Sequence, residues 1–133
     1  MKQFITFLLI ALSSASLMAQ ENSAETKPIT TIVFDKVEYV YGDIEYGGDG
    51  QCVFTFTNTG NEPLVLTNVR ASCGCTAPSW PKDPIKPGEK GEIKVKYNTN
   101  IPGSFSKTIT VTCNGNPLQT MLRIKGRVLP KQT

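Results

Sequence analysis

The sequence predicts an all-β fold in which about seven short, antiparallel strands form two packed sheets. Apolar and polar residues alternate in several short runs, so each run presents one apolar face and one polar face. Nine prolines and eleven glycines separate the runs, and no window beyond the N-terminal segment has helical periodicity. A closed barrel is the alternative architecture, because the same alternation is compatible with it.

The first half of the chain contains three predicted strands. They are residues 29–34, continued by 37–41, then 52–57 and 64–69. The stretch 42–50 holds four glycines and three acidic residues, a composition typical of a connection rather than a strand. In the second strand, Cys52 and Phe54 share the apolar face, and a turn follows at residues 58–61.

The second half contains three further predicted strands. They are residues 91–97, 105–113 and 119–128. The first of these is the most regular, because Ile93, Val95 and Tyr97 point to one side and charged residues point to the other. Cys113 lies on the apolar face of the next strand, and Leu122 lies on that of the last.

The N-terminus has the three parts of a secretory signal peptide. A short basic start precedes an apolar run from Phe4 to Leu12, and small residues then lead to Ala19. We expect cleavage after Ala19, with Ala15 as the alternative site, and therefore a periplasmic or extracellular location without a membrane span after cleavage. The predicted organisation is a signal peptide at 1–19, a flexible leader at 20–28, a β-sandwich at 29–129 and a tail at 130–133.

The composition excludes several classes of function. A chain of 133 residues is long enough for one domain. The absence of histidine excludes Ser-His-Asp catalysis, Cys-His catalysis and histidine metal ligands. The net charge of +3 is too small to argue for a nucleic-acid partner.

The charges divide along the chain. Residues 20–69 hold eight acidic and two basic residues, whereas residues 70–133 hold three acidic and eleven basic residues. We expect cross-strand pairing between these two halves. The alternative is a single basic face formed by Lys94, Lys96, Arg123, Lys125 and Arg127. That alternative requires two strands that a sandwich can place in different sheets.

The segment Cys73-Gly74-Cys75 is the most informative motif. In an extended chain both thiols point to one side, with Cα atoms near the upper limit of about 6.8 Å for a disulfide. Gly74 allows the chain to bend and shorten that distance. The bridge would close a very small loop, and a strained bridge is readily reduced. Cys73 and Cys75 are therefore a candidate redox pair or two ligands for a soft metal such as Cu(I). An inert bridge or two buried thiols are the plainer alternatives.

Cys52 and Cys113 differ from this motif, because each lies on the apolar face of a predicted strand. Their separation suits a structural disulfide between an early and a late strand, which typically stabilises a fold by about 2–4 kcal/mol. Four cysteines allow three pairings. We predict the pair Cys52–Cys113, with Cys73 and Cys75 bonded to each other or free. The spacing does not support a four-cysteine zinc site.

A tryptophan and an acidic cluster complete the candidate residues. Trp80 lies in a loop with three prolines, Pro78, Pro81 and Pro84. An exposed tryptophan there would be a possible partner contact, but we favour a ring folded back over the sandwich. Asp43, Glu45 and Asp49 lack the spacing of a calcium loop and are expected to be solvated.

Several short motifs occur in the order of a known family. They are FTNTG (56–60), EPL (62–64), ASCGCT (71–76), WP (80–81), IKPGEKG (85–91), PG (102–103), KT (107–108) and IKG (124–126). Together they resemble the bacterial domain-of-unknown-function family 1573, which is similar to Hydin-like and PapD-like immunoglobulin-type domains. The resemblance covers about residues 30–128. It implies an exported, immunoglobulin-like antiparallel β-sandwich without established catalytic activity, and it assigns no site residues.

The expected function is that of an exported, non-catalytic immunoglobulin-like domain that serves as a protein-binding or envelope structural module. Its partner would be another envelope or secreted protein, contacted through loops or an edge strand. The alternative function is thiol redox chemistry or copper handling through Cys73 and Cys75. No cofactor, metal site or nucleic-acid partner is expected.

Overall fold

The structure is a computed structural model that describes residues 29–133. In this range it contains eight strands and no helix, which confirms the predicted all-β class. The strands are β1 (Ile32–Phe34), β2 (Glu38–Ile44), β3 (Gln51–Asn58), β4 (Leu66–Ala71), β5 (Thr76–Ser79), β6 (Lys90–Tyr97), β7 (Gly103–Cys113) and β8 (Gln119–Val128). The predicted signal peptide and leader lie outside the described residues. Within residues 29–133, no helix has the length and apolar character needed to cross a bilayer.

Two four-stranded sheets form a sandwich. The first sheet has the order β1-β3-β6-β5, and the second has the order β2-β8-β7-β4. Because the strands divide into two separate sheets, the fold is the predicted sandwich and not a closed barrel. The largest fully buried apolar side chains between the sheets are Phe54, Phe56, Leu64, Ile93, Ile109, Leu122 and Ile124.

The alternation of residue types along each strand decides which side chains enter this core. On β6, Ile93, Val95 and Tyr97 are buried, whereas the charged residues between them are exposed, as predicted. Cys52 and Phe54 are likewise buried on β3. A shift of the pairing by one residue would turn the charged residues of β6 into the core, so the alternation also determines the strand register.

The prediction of a connection at residues 42–50 is wrong for its first three residues, because β2 continues to Ile44. Gly42 has a φ of +71°, and a bulge lies between Val40 and Asp43. The bulge lets the chain change register without leaving the sheet. Asp43 therefore lies opposite Arg127, and Ile44 is buried beside β8.

Two further features of the strand pairing depart from the sequence prediction. β5 is an additional edge strand of four residues that pairs with β6 and contains Pro78. Its residues do not alternate between apolar and polar types, so no local pattern marks it. β2 runs parallel to β8, whereas the expected sandwich was antiparallel throughout. Parallel strands cannot be joined by a tight hairpin, and these two lie at opposite ends of the described chain.

Ion pairs join the acidic first half of the chain to the basic second half, as predicted. The Lys125 ammonium lies 3.0 Å from the Glu38 carboxylate, and the Arg127 guanidinium lies 3.2 Å from that of Asp43. All four side chains are exposed, so each pair stabilises the fold by at most about 1 kcal/mol. The basic residues of β6 and β8 belong to different sheets and do not form one continuous face.

Asn58 is a fully buried polar residue at the end of β3. Its side-chain amide nitrogen donates hydrogen bonds of 2.8 Å to the carbonyl oxygens of Glu62 and Ile85. Its side-chain oxygen accepts a 2.9 Å hydrogen bond from the backbone N–H of Gly60. Because a buried amide requires such partners, Asn58 holds the turn after β3 against the segment that precedes β6.

Gly91 of β6 leaves the space that the ring of Phe56 occupies on β3. The two residues are direct cross-strand partners, and a Cβ atom on Gly91 would overlap the ring. Both residues are buried, so the ring has no exposed space into which it can turn. Gly91 is therefore required for close packing at this position.

Gly91→Ala is expected to lower the free energy of unfolding by about 1–3 kcal/mol, because the Phe56 ring must shift within a close-packed core. Urea denaturation of the purified protein measures this change. Gly74→Ala is the matched control, because nothing lies within 4 Å of its added Cβ. We expect that control to change the stability by less than about 0.5 kcal/mol. Equal losses in the two variants would contradict the packing explanation.

Candidate functional site

The connection between β4 and β5 carries a disulfide between Cys73 and Cys75. Their Cα atoms are 5.4 Å apart, which is inside the range that a disulfide allows. Both cysteines are half-buried, and Gly74 between them is exposed. Because β4 and β5 belong to different sheets, the bridge lies where the chain crosses from one sheet to the other.

Backbone hydrogen bonds hold the chain on both sides of this bridge. Before it, the N–H of Ser72 donates to the carbonyl oxygen of Thr108 at 2.9 Å, and the Thr108 N–H donates to the Ser72 hydroxyl oxygen at 3.2 Å. After it, the N–H of Asn98 donates to the carbonyl oxygen of Cys75 at 2.8 Å. The bridge is therefore presented by a fixed backbone that contacts both sheets.

The Thr76 hydroxyl lies directly beside the bridge. Its oxygen is 4.0 Å from Sγ of Cys73 and 3.9 Å from Sγ of Cys75. Thr76 is buried, so its hydroxyl is held in this position by the surrounding fold. A hydrogen-bond donor is thus available to either sulfur if the bond opens and leaves a thiolate.

The predicted disulfide Cys52–Cys113 is wrong, because both cysteines are free and buried. Cys52 lies beside Tyr41, whose ring contacts Phe105 with a centroid distance of 5.7 Å. Phe105 and Cys113 belong to the same strand, and the eight residue-to-residue steps from one to the other span about 26 Å. The two thiols therefore occupy opposite ends of the core, far beyond the reach of a disulfide.

Burial makes Cys52 an inert thiol. It raises the pKa of Cys52 above its usual value, although the hydrogen bond with Tyr41 acts in the opposite direction. Burial, followed by the adjacent Cys52, raises the pKa of the Tyr41 hydroxyl far above its usual value. Because the thiolate is the reactive form of cysteine, Cys52 is protonated and unreactive near neutral pH.

Trp80 directly follows β5 and is half-buried. Its ring packs against the core, and the Lys82 ammonium lies 3.0 Å from the ring centroid. The ring is thus folded back, as the sequence suggested, and a charged neighbour covers part of it. Trp80 and Pro81 also line a shallow groove on the outer face of the first sheet.

β2 is one of the two edge strands of the second sheet, and it pairs with β8 alone. Apolar side chains are exposed along this edge, with 52% exposure for Val37 and 58% for Val40. Met121 on β8 is 69% exposed, and it lines one groove together with Val37 and Arg123. An edge strand with exposed apolar side chains is a template for pairing with another extended chain.

The acidic cluster does not form a metal site in the described part of the chain. Residues 29–133 contain no group of three or more Cys, Asp or Glu side chains placed to hold an ion. Asp43 pairs with Arg127, and the Asp49 carboxylate accepts a 2.9 Å hydrogen bond from the N–H of Gln51. Cys73 and Cys75 are two adjacent soft ligands, but each sulfur is bonded to the other.

The architecture is an immunoglobulin-like β-sandwich, and its structural neighbours include PapD-like domains. The ASH/PapD-like domain 7 of human CEP192 matches with a TM-score of 0.63 and 10% identity, covering 80% of this chain and 89% of that domain. The CsuC-CsuE chaperone–tip adhesion subunit complex of Acinetobacter baumannii matches with a TM-score of 0.54 and 16% identity, with 73% and 56% coverage. At these identities the similarity concerns the fold alone.

The chain belongs to the family described as Protein of unknown function (DUF1573), whose model matches residues 32–128. This match confirms the resemblance of the motifs. A protein of unknown function from Porphyromonas gingivalis W83 matches with a TM-score of 0.69 and 16% identity over 77% of this chain. The chain spans about half the length of that protein, namely 48%. No curated protein matches the sequence.

Sequence reasoning identified Cys73, Cys75 and Trp80 but missed the groups beside them. Thr76 directly follows Cys75, and Lys82 lies two residues after Trp80. This closeness in the sequence was the one signal that could have predicted their contacts. The pairing of β2 with β8 was not foreseeable from local alternation, and this pairing brings Val37 close to Met121.

Trypsin digestion without reduction tests the cysteine states. It separates the four cysteines into the peptides 37–70, 71–82 and 108–123, of which the second contains both Cys73 and Cys75. We expect peptide 71–82 to be lighter by two hydrogen atoms, because its disulfide is internal. The other two peptides should each carry one alkylated thiol after digestion in iodoacetamide. A disulfide-linked pair of peptides 37–70 and 108–123 would contradict the structure.

Proposed function

We propose that this protein is an exported, non-catalytic immunoglobulin-like module that binds another protein by accepting an extended segment along the edge strand β2. The observation that carries the proposal is the open edge of β2, where Val37 and Val40 are exposed and Val37 shares a groove with Met121. Backbone groups on such an edge give affinity to an added strand, and alternate side chains give specificity.

The geometry of β2 defines the segment that this edge would accept. Glu38 and Asp43 are already paired with basic residues of β8, so the edge has no strong unpaired charge. The bulge between Val40 and Asp43 interrupts the strand and limits the open stretch to about residues 37–41. The proposed occupant is therefore a short, extended and mainly apolar segment of a partner protein.

Similarity of fold to solved structures supports a protein as the partner. One structural neighbour is a chain of the CsuC-CsuE complex of a chaperone with an adhesion subunit, which supports protein binding as a role for this fold. Export of the present chain is part of the proposal and rests on the signal-peptide pattern of residues 1–19.

A photo-crosslinking residue placed at Val40 in the full-length protein tests this function in the native cell. We expect a covalent adduct with a second protein in the extracytoplasmic fraction. Thr110 is the matched control position, because β7 is paired on both sides and offers no free edge. Adducts in equal yield at both positions, or no adduct at Val40, would contradict the proposal. So would a cytoplasmic location of the protein itself. An adduct with the mass of two copies would replace it with self-association.

The second candidate function is thiol–disulfide exchange at Cys73 and Cys75. The observation that favours it is a half-exposed bridge with the Thr76 hydroxyl about 4 Å from both sulfurs. A thiolate of a partner dithiol would attack one sulfur, and the other would leave as a thiolate and take up a proton. The second partner thiol would then release the mixed disulfide, so the bridge gains two electrons and two protons while the partner becomes a disulfide.

Equilibration in glutathione buffers, followed by alkylation and mass measurement, tests this candidate. We expect the bridge to open while the far-ultraviolet circular dichroism stays unchanged, because its ring joins residues only two positions apart. Two alkyl groups should then be found on peptide 71–82, and none on the buried Cys52 or Cys113. A bridge that resists mild reduction until the protein unfolds would eliminate the redox function.

A further inference from the structure

The outer face of the first sheet carries lysines that lack acidic partners. The side chains of β6 that point outward are those of Lys90, Glu92, Lys94 and Lys96. Glu92 is the only acidic residue on the four strands of this sheet. It lies between Lys90 and Lys94 along the strand, so the end of β6 that carries Lys96 is the most positive.

The neighbouring strands do not neutralise this charge. Lys94 and Lys96 are flanked on β3 and β5 by uncharged residues, namely Val53, Ser79, Gln51 and Ala77. Within residues 29–133 neither lysine has an acidic group within ion-pair distance, and both ion pairs of the described chain lie on the other sheet. The two ammonium groups therefore repel each other and would gain from an acidic ligand.

A groove beside these lysines ends at Trp80. Its lining includes Lys90, Glu92 and Lys94 of β6 together with Trp80 and Pro81. Lys82 lies over the Trp80 ring and adds a further positive charge at this border. The lining of the groove thus combines two lysines and one glutamate with apolar side chains, and Lys96 lies on the same strand outside the groove.

We infer that this lysine face, comprising Lys90, Lys94 and Lys96 with Trp80 at its border, binds an extended segment of a protein partner in which acidic residues alternate with uncharged ones. Side chains two positions apart on a strand are separated by about 6.6 Å. Lys94 and Lys96 have this spacing, so carboxylates at alternate positions of an extended segment would match them. The inference rests on the proposed role in protein binding, but it concerns a different sheet from β2.

The state of Trp80 favours a peptide over a single-stranded nucleic acid. Single-stranded nucleic acids use an aromatic ring as a stacking platform, which requires an open ring face. Here the ring packs against the core, and Lys82 lies 3.0 Å from its centroid. The lysine charges remain available, and they suit carboxylates on an extended backbone.

Trp80 is also the reporter for the experiment, because the chain contains one tryptophan. A decapeptide of alternating glutamate and serine, which has no aromatic residue, is titrated into the purified protein in low salt. We expect saturable changes in Trp80 emission that weaken as salt is added. A peptide of the same composition with its glutamates in one block should bind more weakly. Equal affinity for the two peptides would overturn the spacing argument.

Two double variants localise the binding. K94Q/K96Q should weaken binding of the alternating peptide by about tenfold, because both unpaired charges are lost. R70Q/K107Q removes the same charge from strands β4 and β7 of the other sheet and should change the affinity by less than about twofold. Equal weakening in the two variants, or no emission change with the unmodified protein, would overturn the inference. Tighter binding of an oligothymidylate would overturn it in favour of a nucleic-acid ligand.

Failure of this inference can be separated from failure of the proposed function. Val40 lies on the second sheet, so its cross-linked adduct should persist in K94Q/K96Q. A retained Val40 adduct without peptide binding would overturn the lysine face alone. Peptide binding without a Val40 adduct would support the lysine face and contradict strand addition at β2.

Discussion

Burial of one face along β3, β6, β7 and β8 is the constraint on which the rest of the structure depends. These strands supply most of the fully buried apolar side chains, and the two sheets cover a single core between them. A fully buried large apolar side chain contributes about 1.5–3 kcal/mol, whereas each exposed ion pair on β2 contributes at most about 1 kcal/mol. The packing is close enough that Gly91 must lack a side chain to admit the Phe56 ring.

The features with a proposed function all lie outside the buried faces, at strand edges, in a connection or on the outer face of a sheet. Edge strand β2 accommodates a glycine bulge, and edge strand β5 accommodates Pro78, because each is paired on one side only. The Cys73–Cys75 bridge occupies the crossing between the sheets, and the lysines of β6 point away from the core. Binding or thiol chemistry at these places would leave the buried side chains undisturbed.

The four cysteines illustrate what the alternation of residues along a strand can and cannot predict. Strand phase separates Cys52 and Cys113, which are buried, from the Cys73–Cys75 motif in a connection. The phase of a strand states which face a residue occupies, but it does not state how far along the sandwich that residue lies. The predicted Cys52–Cys113 disulfide failed for this reason, because the two buried thiols are at opposite ends of the core.

The sequence by itself determined the all-β class, the inward faces of β3, β6, β7 and β8, and the family to which the motifs belong. Each of these follows from local alternation or from short motifs. Only the tertiary structure decided the parallel pairing of β2 with β8, the extra strand β5 and the surroundings of Trp80. Strand pairing depends on hydrogen bonds between segments that are distant in the chain, and residue alternation within one segment does not specify its partner.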